Sequence, residues 1–161
     1  MSLWTAIKAF FVTPVAKLEW HAVKASSFAD PADVRYFKQC KLKGGTDKQC
    51  FAKGDNGEGY FGADFDHDGD FDPAPCWRDD VAYVALPREV WEAKWGTKEN
   101  ASLKRVLVKY NGHTIEAQLG DTMPSLRNIK NGCGIDLNPG AAKKLGLTPP
   151  FIVPVSWAWG D

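Results

Sequence analysis

The segment Asp64-Phe65-Asp66-His67-Asp68-Gly69-Asp70-Phe71-Asp72 places a carboxylate at every second residue and a glycine at the sixth. Oxygens that converge on one hard cation while the chain bends sharply need this spacing, so Asp64, Asp66, Asp68, Asp70 and Asp72 are candidate ligands of a structural Ca2+. The pattern departs from a helix-flanked calcium loop at position twelve, where Pro75 replaces a bidentate glutamate; Asp79 or Asp80 could close the site from farther along. A solvated acidic turn is the alternative. His67 falls where such loops face away from the ion, which disfavours zinc.

A second carboxylate stands out from an internal echo. Val84-Ala85-Leu86-Pro87 to Trp95-Gly96 parallels Ile135-Asp136-Leu137-Asn138-Pro139 to Leu145-Gly146, each reading as a short strand, a proline-opened helical turn and a terminal glycine. Asp136 stands where the first copy has Ala85. An acid at that position either lies half-sheltered in a cleft, where burial raises its pKa until it can donate a proton near neutral pH, or caps the helix opening at Pro139. Acyl transfer is improbable, because the 3 histidines (His21, His67, His113) come with no nucleophile elbow. The glycine-rich run from Gly54 to Gly62 is followed by acids rather than by a lysine and a helix, so it is no phosphate cradle, and no organic cofactor is expected. Of 7 tryptophans, Trp157 and Trp159 share one face of the last strand and could stack on sugar rings; each taken singly also suits a core.

These residues need a scaffold. The 161 residues, 44% of them hydrophobic, suit one globular domain, and 20 basic against 20 acidic residues leave no global field for nucleic acid. No apolar run is long enough to span a membrane. Residues 1–24 read as an N-terminal helical segment, with Lys8 interrupting what would otherwise resemble a signal core. Asp30-Pro31-Ala32-Asp33 opens a helix to about Lys41. Residues 41–80 read as a loop insertion, acidic toward its end. Val81–Leu86 reads as a strand, and Arg105–Tyr110 and Thr114–Leu119 flank Asn111-Gly112, a strong hairpin signal. Phe151–Trp159 is the last strand. The 4 cysteines lack zinc-type spacing; Cys40 with Cys50 suits a disulfide in an exported chain, and reduced buried thiols suit the opposite case.

From Val106 to Leu147 the order of strand, Asn-Gly turn, strand, Gly120-Asp121-Thr122-Met123-Pro124, then Gly134-Ile135-Asp136-Leu137-Asn138 and a short helix resembles the double-psi β-barrel of rare lipoprotein A. Relatives of that barrel include expansins, barwin-type lectins and lytic transglycosylases. Ala25-Ser26-Ser27-Phe28 resembles its opening strand, while the insertion at 41–80 has no counterpart. The stretch Gly54-Asp55-Asn56-Gly57 resembles uncharacterised phage proteins, a likeness that carries no function. The resemblance implies a mainly β fold with short helices, a six-stranded double-psi barrel over residues 25–161. It also implies that Asp136 is the acid of a glycan-cleaving site, with Asp121 assisting by orienting it or raising its pKa.

The expected function is thus cleavage of a cell-wall polysaccharide, most simply peptidoglycan, in the manner of a lytic transglycosylase. Trp157, Trp159 and Arg127 are the candidate substrate contacts, and the chain is expected to be exported, cell-wall-facing or phage-associated. Asp30, Asp33, Asp55 and Glu58 are further carboxylates, and His21 a polar contact, that spacing does not single out. A non-catalytic glycan-binding barrel is one alternative. The other is a structural or assembly protein, which an exposed patch of Trp4, Phe10 and Phe11 would favour.

Overall fold

The computed structural model describes residues 16–161. Along the chain run β1 (His21–Ser27), α1 (Pro31–Leu42), α2 (Asp47–Phe51), β2 (Glu58–Ala63), β3 (Asp72–Pro75), β4 (Tyr83–Pro87), α3 (Arg88–Trp95), α4 (Lys98–Ala101), β5 (Arg105–Tyr110), β6 (His113–Met123), β7 (Cys133–Leu137), α5 (Pro139–Lys144) and β8 (Ile152–Trp159). Six strands close into a barrel in the order β1-β7-β4-β6-β5-β8, and β2 and β3 form a separate two-stranded sheet. Closure leaves no unpaired barrel edge.

The barrel is mixed, as the double-psi arrangement requires. Strands β1 and β7 run parallel, as do β4 and β6, and the remaining neighbours are antiparallel. This pattern maps onto itself when β4 is exchanged with β7, β6 with β1 and β5 with β8. The echo in the sequence is therefore a structural pseudo-twofold, with α3 and α5 as its matched helices.

Strand β4 is buried along its whole length. Val84 and Leu86 belong to the barrel interior with Val106, Val108, Leu119, Ile135, Leu137 and Val155. Tyr83 and Ala85 belong to a second cluster on the outer face, with Phe28, Ala74, Cys76, Met123 and Cys133. At about 1.5–3 kcal/mol for each large side chain fully removed from water, the inner set dominates the stability of the fold.

Several expectations are revised here. Strand β1 begins at His21, so residues 21–24 belong to the barrel; the helix expected over Leu3–Val15, with Trp4, Phe10 and Phe11, lies outside the described residues. The insertion is more ordered than its glycines suggested. Thr46 and Gln49 form a capping box that opens α2, a Ser/Thr-x-x-Glu/Gln signal present in the sequence. Gly59 and Gly62 lie within β2 and are glycine because a Cβ there would come within 2.0 and 1.9 Å of the carbonyl oxygens of Gly120 and Asp72. A disulfide joins Cys40 to Cys50 and staples α1 to α2, while Cys76 and Cys133 are buried free thiols. Closing this short loop contributes about 3 kcal/mol in the chain-entropy account.

Asn138 holds the insertion to the barrel. Its side chain is fully buried, and its Oδ1 accepts from Tyr83 N at 2.8 Å and from Ala141 N at 2.9 Å. Its Nδ2 lies 2.9–3.0 Å from the carbonyl oxygens of Cys76, Arg78 and Val81, which share its two N–H donors. Asn138→Ala strands these groups in the interior and is expected to cost about 3 kcal/mol or more. Urea unfolding of the two proteins measures it; a loss below about 1 kcal/mol would mean the hub is dispensable.

Candidate functional site

Four strands bring the candidate acids into one line on the outer face of the barrel. Ser26 of β1 pairs with Asp136 of β7, Asp136 with Ala85 of β4, and Ala85 with Asp121 of β6. Directly paired positions project to the same side of a sheet. Asp121 and Asp136 are therefore separated by Ala85, and two strand spacings put their backbones about 10 Å apart.

Asp136 does not cap α5, because Asn138 does so by accepting from Ala141 N. Its Oδ1 instead accepts a hydrogen bond from the Ser26 hydroxyl, and Asn131 Nδ2 donates to that hydroxyl at 3.5 Å. Asp121 Oδ1 accepts from Tyr60 N at 2.9 Å and from Thr122 N at 2.8 Å, which ties β2 to the barrel. Among the described residues, the Oδ2 atom of each acid has no hydrogen-bond partner.

Both carboxyls are half-buried, and both hold their protons unusually far up the pH scale. Burial pushes Asp121 up to about 7, helped by the charges of Asp55 and Asp136 and opposed by its two backbone donors. Burial likewise lifts Asp136 to about 6, opposed by the Ser26 hydroxyl and assisted by Asp55. Asp55 is itself raised, first by burial and then by Asp30, although the Gly57 N–H it holds at 2.6 Å offsets part of this. Asp33 is raised to about 6 by burial and by Asp30 and Asp55. The Cys76 thiol is pushed up by burial and by the charges of Asp121 and Asp55, so it is no nucleophile at neutral pH.

The site therefore includes residues that spacing did not single out. Asp55 is the common electrostatic neighbour of both acids, and its Asp-x-Gly turn was the only local signal for it. Ser26 carries no signal until the register of β1 against β7 is known. Asp30 is used structurally, accepting from Ala32 N and Asp33 N as the cap of α1.

The other candidates lie elsewhere. Trp157 is buried, stacked on His21 with ring centroids 4.5 Å apart and edge-on to Trp159 at 5.3 Å. Both tryptophans and His21 line a groove of about 460 Å³ to which neither Asp121 nor Asp136 contributes. Arg127 is exposed on a single 3-10 turn (Leu126–Asn128) and interacts with Glu89, whose carboxyl is held down mainly by the Ser125 hydroxyl. A larger groove, of about 610 Å³, runs beside α1 and includes Trp77, Asn56 and Glu58; it too is lined by neither Asp121 nor Asp136.

In the acidic loop, oxygens of Asp64, Asp66 and Asp72 lie within 4.8 Å of one another, a set that could hold a metal ion. Asp72, at position nine, closes the set in place of position twelve. The loop is bent by His67 and Gly69, both at positive φ, and Asp64 accepts from Asp68 N and Gly69 N at 3.0 Å. Asp68 and Asp70 are exposed and fall outside the converging set.

No protein-family model and no curated protein matches the sequence. Among solved structures, the chain is similar to the Streptomyces papain inhibitor, with a TM-score of 0.50 over 92% of this chain and 98% of that one, at 20% sequence identity. That likeness is one of fold, a double-psi-like barrel. Among the described residues no helix is long and apolar enough to cross a membrane, and the disulfide is compatible with an extracellular protein.

The raised acids set a pH dependence of stability. Because the folded-state values of about 7 and 6 lie above the ordinary 3.8, the folded chain binds more protons than the unfolded chain between about pH 4 and 7. The contribution of these two groups is most favourable below pH 4 and is lost as pH rises toward 7. An Asp121→Asn/Asp136→Asn variant is thus expected to gain stability over the parent at pH 8 relative to pH 4.5. Urea melts at both values test this, and an unchanged difference would contradict the assignment.

Proposed function

We propose that the protein cleaves a cell-wall polysaccharide, most simply peptidoglycan, with Asp136 as proton donor and Asp121 as the second carboxyl. One observation carries this reading: Asp136 is half-buried, free of the helix cap, and raised to about 6 with its Oδ2 unpartnered. A carboxyl in that state is protonated often enough in mild acid to donate to a glycosidic oxygen. Asp121, raised to about 7, keeps its proton wherever Asp136 does, which does not suit the ionised base of an inverting hydrolase; a lytic transglycosylase needs only the donor, because a sugar hydroxyl attacks. We also infer that Asp64, Asp66 and Asp72 bind Ca2+ as a structural ion that fixes the β2–β3 connection.

The likeness to a papain inhibitor favours a second reading, in which the barrel binds a partner without cleaving it. Assaying the same preparation for papain inhibition separates the two.

Asp136→Asn preserves shape and removes the proton donor. It is expected to lower fragment release from purified peptidoglycan at pH 5–6 by at least 100-fold, consistent with losing a general acid. Mass spectrometry reads the chemistry: 1,6-anhydro ends identify transglycosylation and reducing ends hydrolysis. No release by the parent protein at any pH would refute cleavage. In parallel, Ca2+ is expected to raise the Tm of the parent chain and not of an Asp64→Asn/Asp72→Asn variant.

A further inference from the structure

We infer that the Trp77 groove is the binding subsite for a glycan strand with anionic substituents, feeding its linkage toward the carboxyl line. This rests on the polysaccharide reading above. Trp77 is the one exposed tryptophan among the described residues, with 56% of its surface open. Its backbone is nonetheless pinned. Trp77 N donates to Gly57 O at 3.1 Å, and the carbonyls on either side, Cys76 and Arg78, both accept from buried Asn138. Gly57 has φ +81, and a side chain on it would come within 2.9 Å of the Trp77 Cβ. The chain thus spends a glycine and a buried amide to hold an indole outward, where it gains little from burial. A rigid exposed aromatic face is what stacking on a sugar ring requires.

The surroundings select the ligand. The groove is within the range of small-ligand sites, and its polar rim, Gln39, Asn56 and Glu58, offers hydrogen bonds to hydroxyls. Arg35 and Lys38 of α1 bring two positive charges to the same groove against the single carboxylate of Glu58. Asn56, which also lines the groove, is the sequence neighbour of Asp55, the carboxylate that raises both Asp121 and Asp136. Anionic substituents are therefore held at the α1 side and repelled from the carboxyl line, which leaves the neutral glycosidic linkage facing the acids. Trp77 lies in the insertion at 41–80, so the subsite is a feature of this chain rather than of the barrel.

The test compares the parent chain, Trp77→Ala, Trp77→Phe and Arg35→Ala/Lys38→Ala, with folding of each checked by thermal unfolding. The probes are peptidoglycan glycan fragments with free stem-peptide carboxylates and neutral chitohexaose, titrated by calorimetry and by tryptophan fluorescence. Trp77→Ala is expected to weaken both probes by at least tenfold, with Trp77→Phe intermediate. The double variant is expected to weaken only the anionic probe, by about tenfold, and to flatten its salt dependence. Fragment release that persists while Trp77→Ala binds and cleaves like the parent would overturn the subsite and spare the cleavage reading. No glycan binding and no release by the parent would overturn both. Loss of papain inhibition in Trp77→Ala without glycan binding would overturn it too, and assign the groove to a protein partner.

Discussion

The amide of Asn138 is the interaction on which the rest depends. It sits where β7 ends and α5 begins, so it caps the helix, and from there it reaches the start of β4 and three carbonyls of the segment after β3. An aspartate could accept the two N–H bonds but has no N–H to share among the three carbonyls, and a serine could not span them. One neutral side chain thus satisfies backbone groups of three segments that would otherwise be buried without partners, at a cost of about 1–3 kcal/mol each. Two consequences follow for function. The insertion has a fixed position against the barrel, and Asp136, two residues upstream, is released from any capping duty.

With the insertion fixed, the acids are desolvated by what it lays over them. Strand β2 donates Tyr60 N to Asp121, while Cys76, just after β3, packs in the outer cluster with Ala85. Asp55 arrives on the same insertion and adds like charge to both acids. Burial and repulsion act in one direction here, and the few hydrogen bonds to the charged forms do not reverse them. The barrel alone would leave these carboxyls more exposed and closer to ordinary acidity. The proton-holding state therefore belongs to the combination of barrel and insertion.

The barrel was legible in the sequence because its signals are local and repeated: the Asn111-Gly112 hairpin, the two strand-turn-helix units with Gly96 and Gly146 behind them, and the alternation along β8. The insertion was less legible because glycine has two meanings. Gly59 and Gly62 read as loop residues, yet each is small so that a neighbouring chain can approach it. Thr46-Asp47-Lys48-Gln49 did carry a helix signal, masked by the glycines around it. The site was half legible. Of the candidate acids, Asp136 stands out through the internal echo and Asp121 only through the family resemblance, whereas Ser26 and Asp55 enter through register and long-range packing, which no local pattern encodes.

The pseudo-twofold also explains why the acids are arranged as they are. It exchanges Ala85 with Asp136 and Asp121 with Ser26, so the line Asp121-Ala85-Asp136-Ser26 would read the same in both directions if the two halves were identical. It does not: each half contributes one acid, from a different strand. An aspartate in place of Ala85 would face Asp136 directly across the β4–β7 pair, at about 4.5–5.5 Å between Cβ atoms, and would also adjoin Asp121. Three half-buried carboxyls in contact would either keep their protons or force the strands apart. Alanine at the centre leaves a gap one strand wide, and Ser26 supplies Asp136 with a donor rather than a competing charge. The symmetry of the fold sets where two acids can stand, and the departures from that symmetry let both titrate within reach of neutral pH.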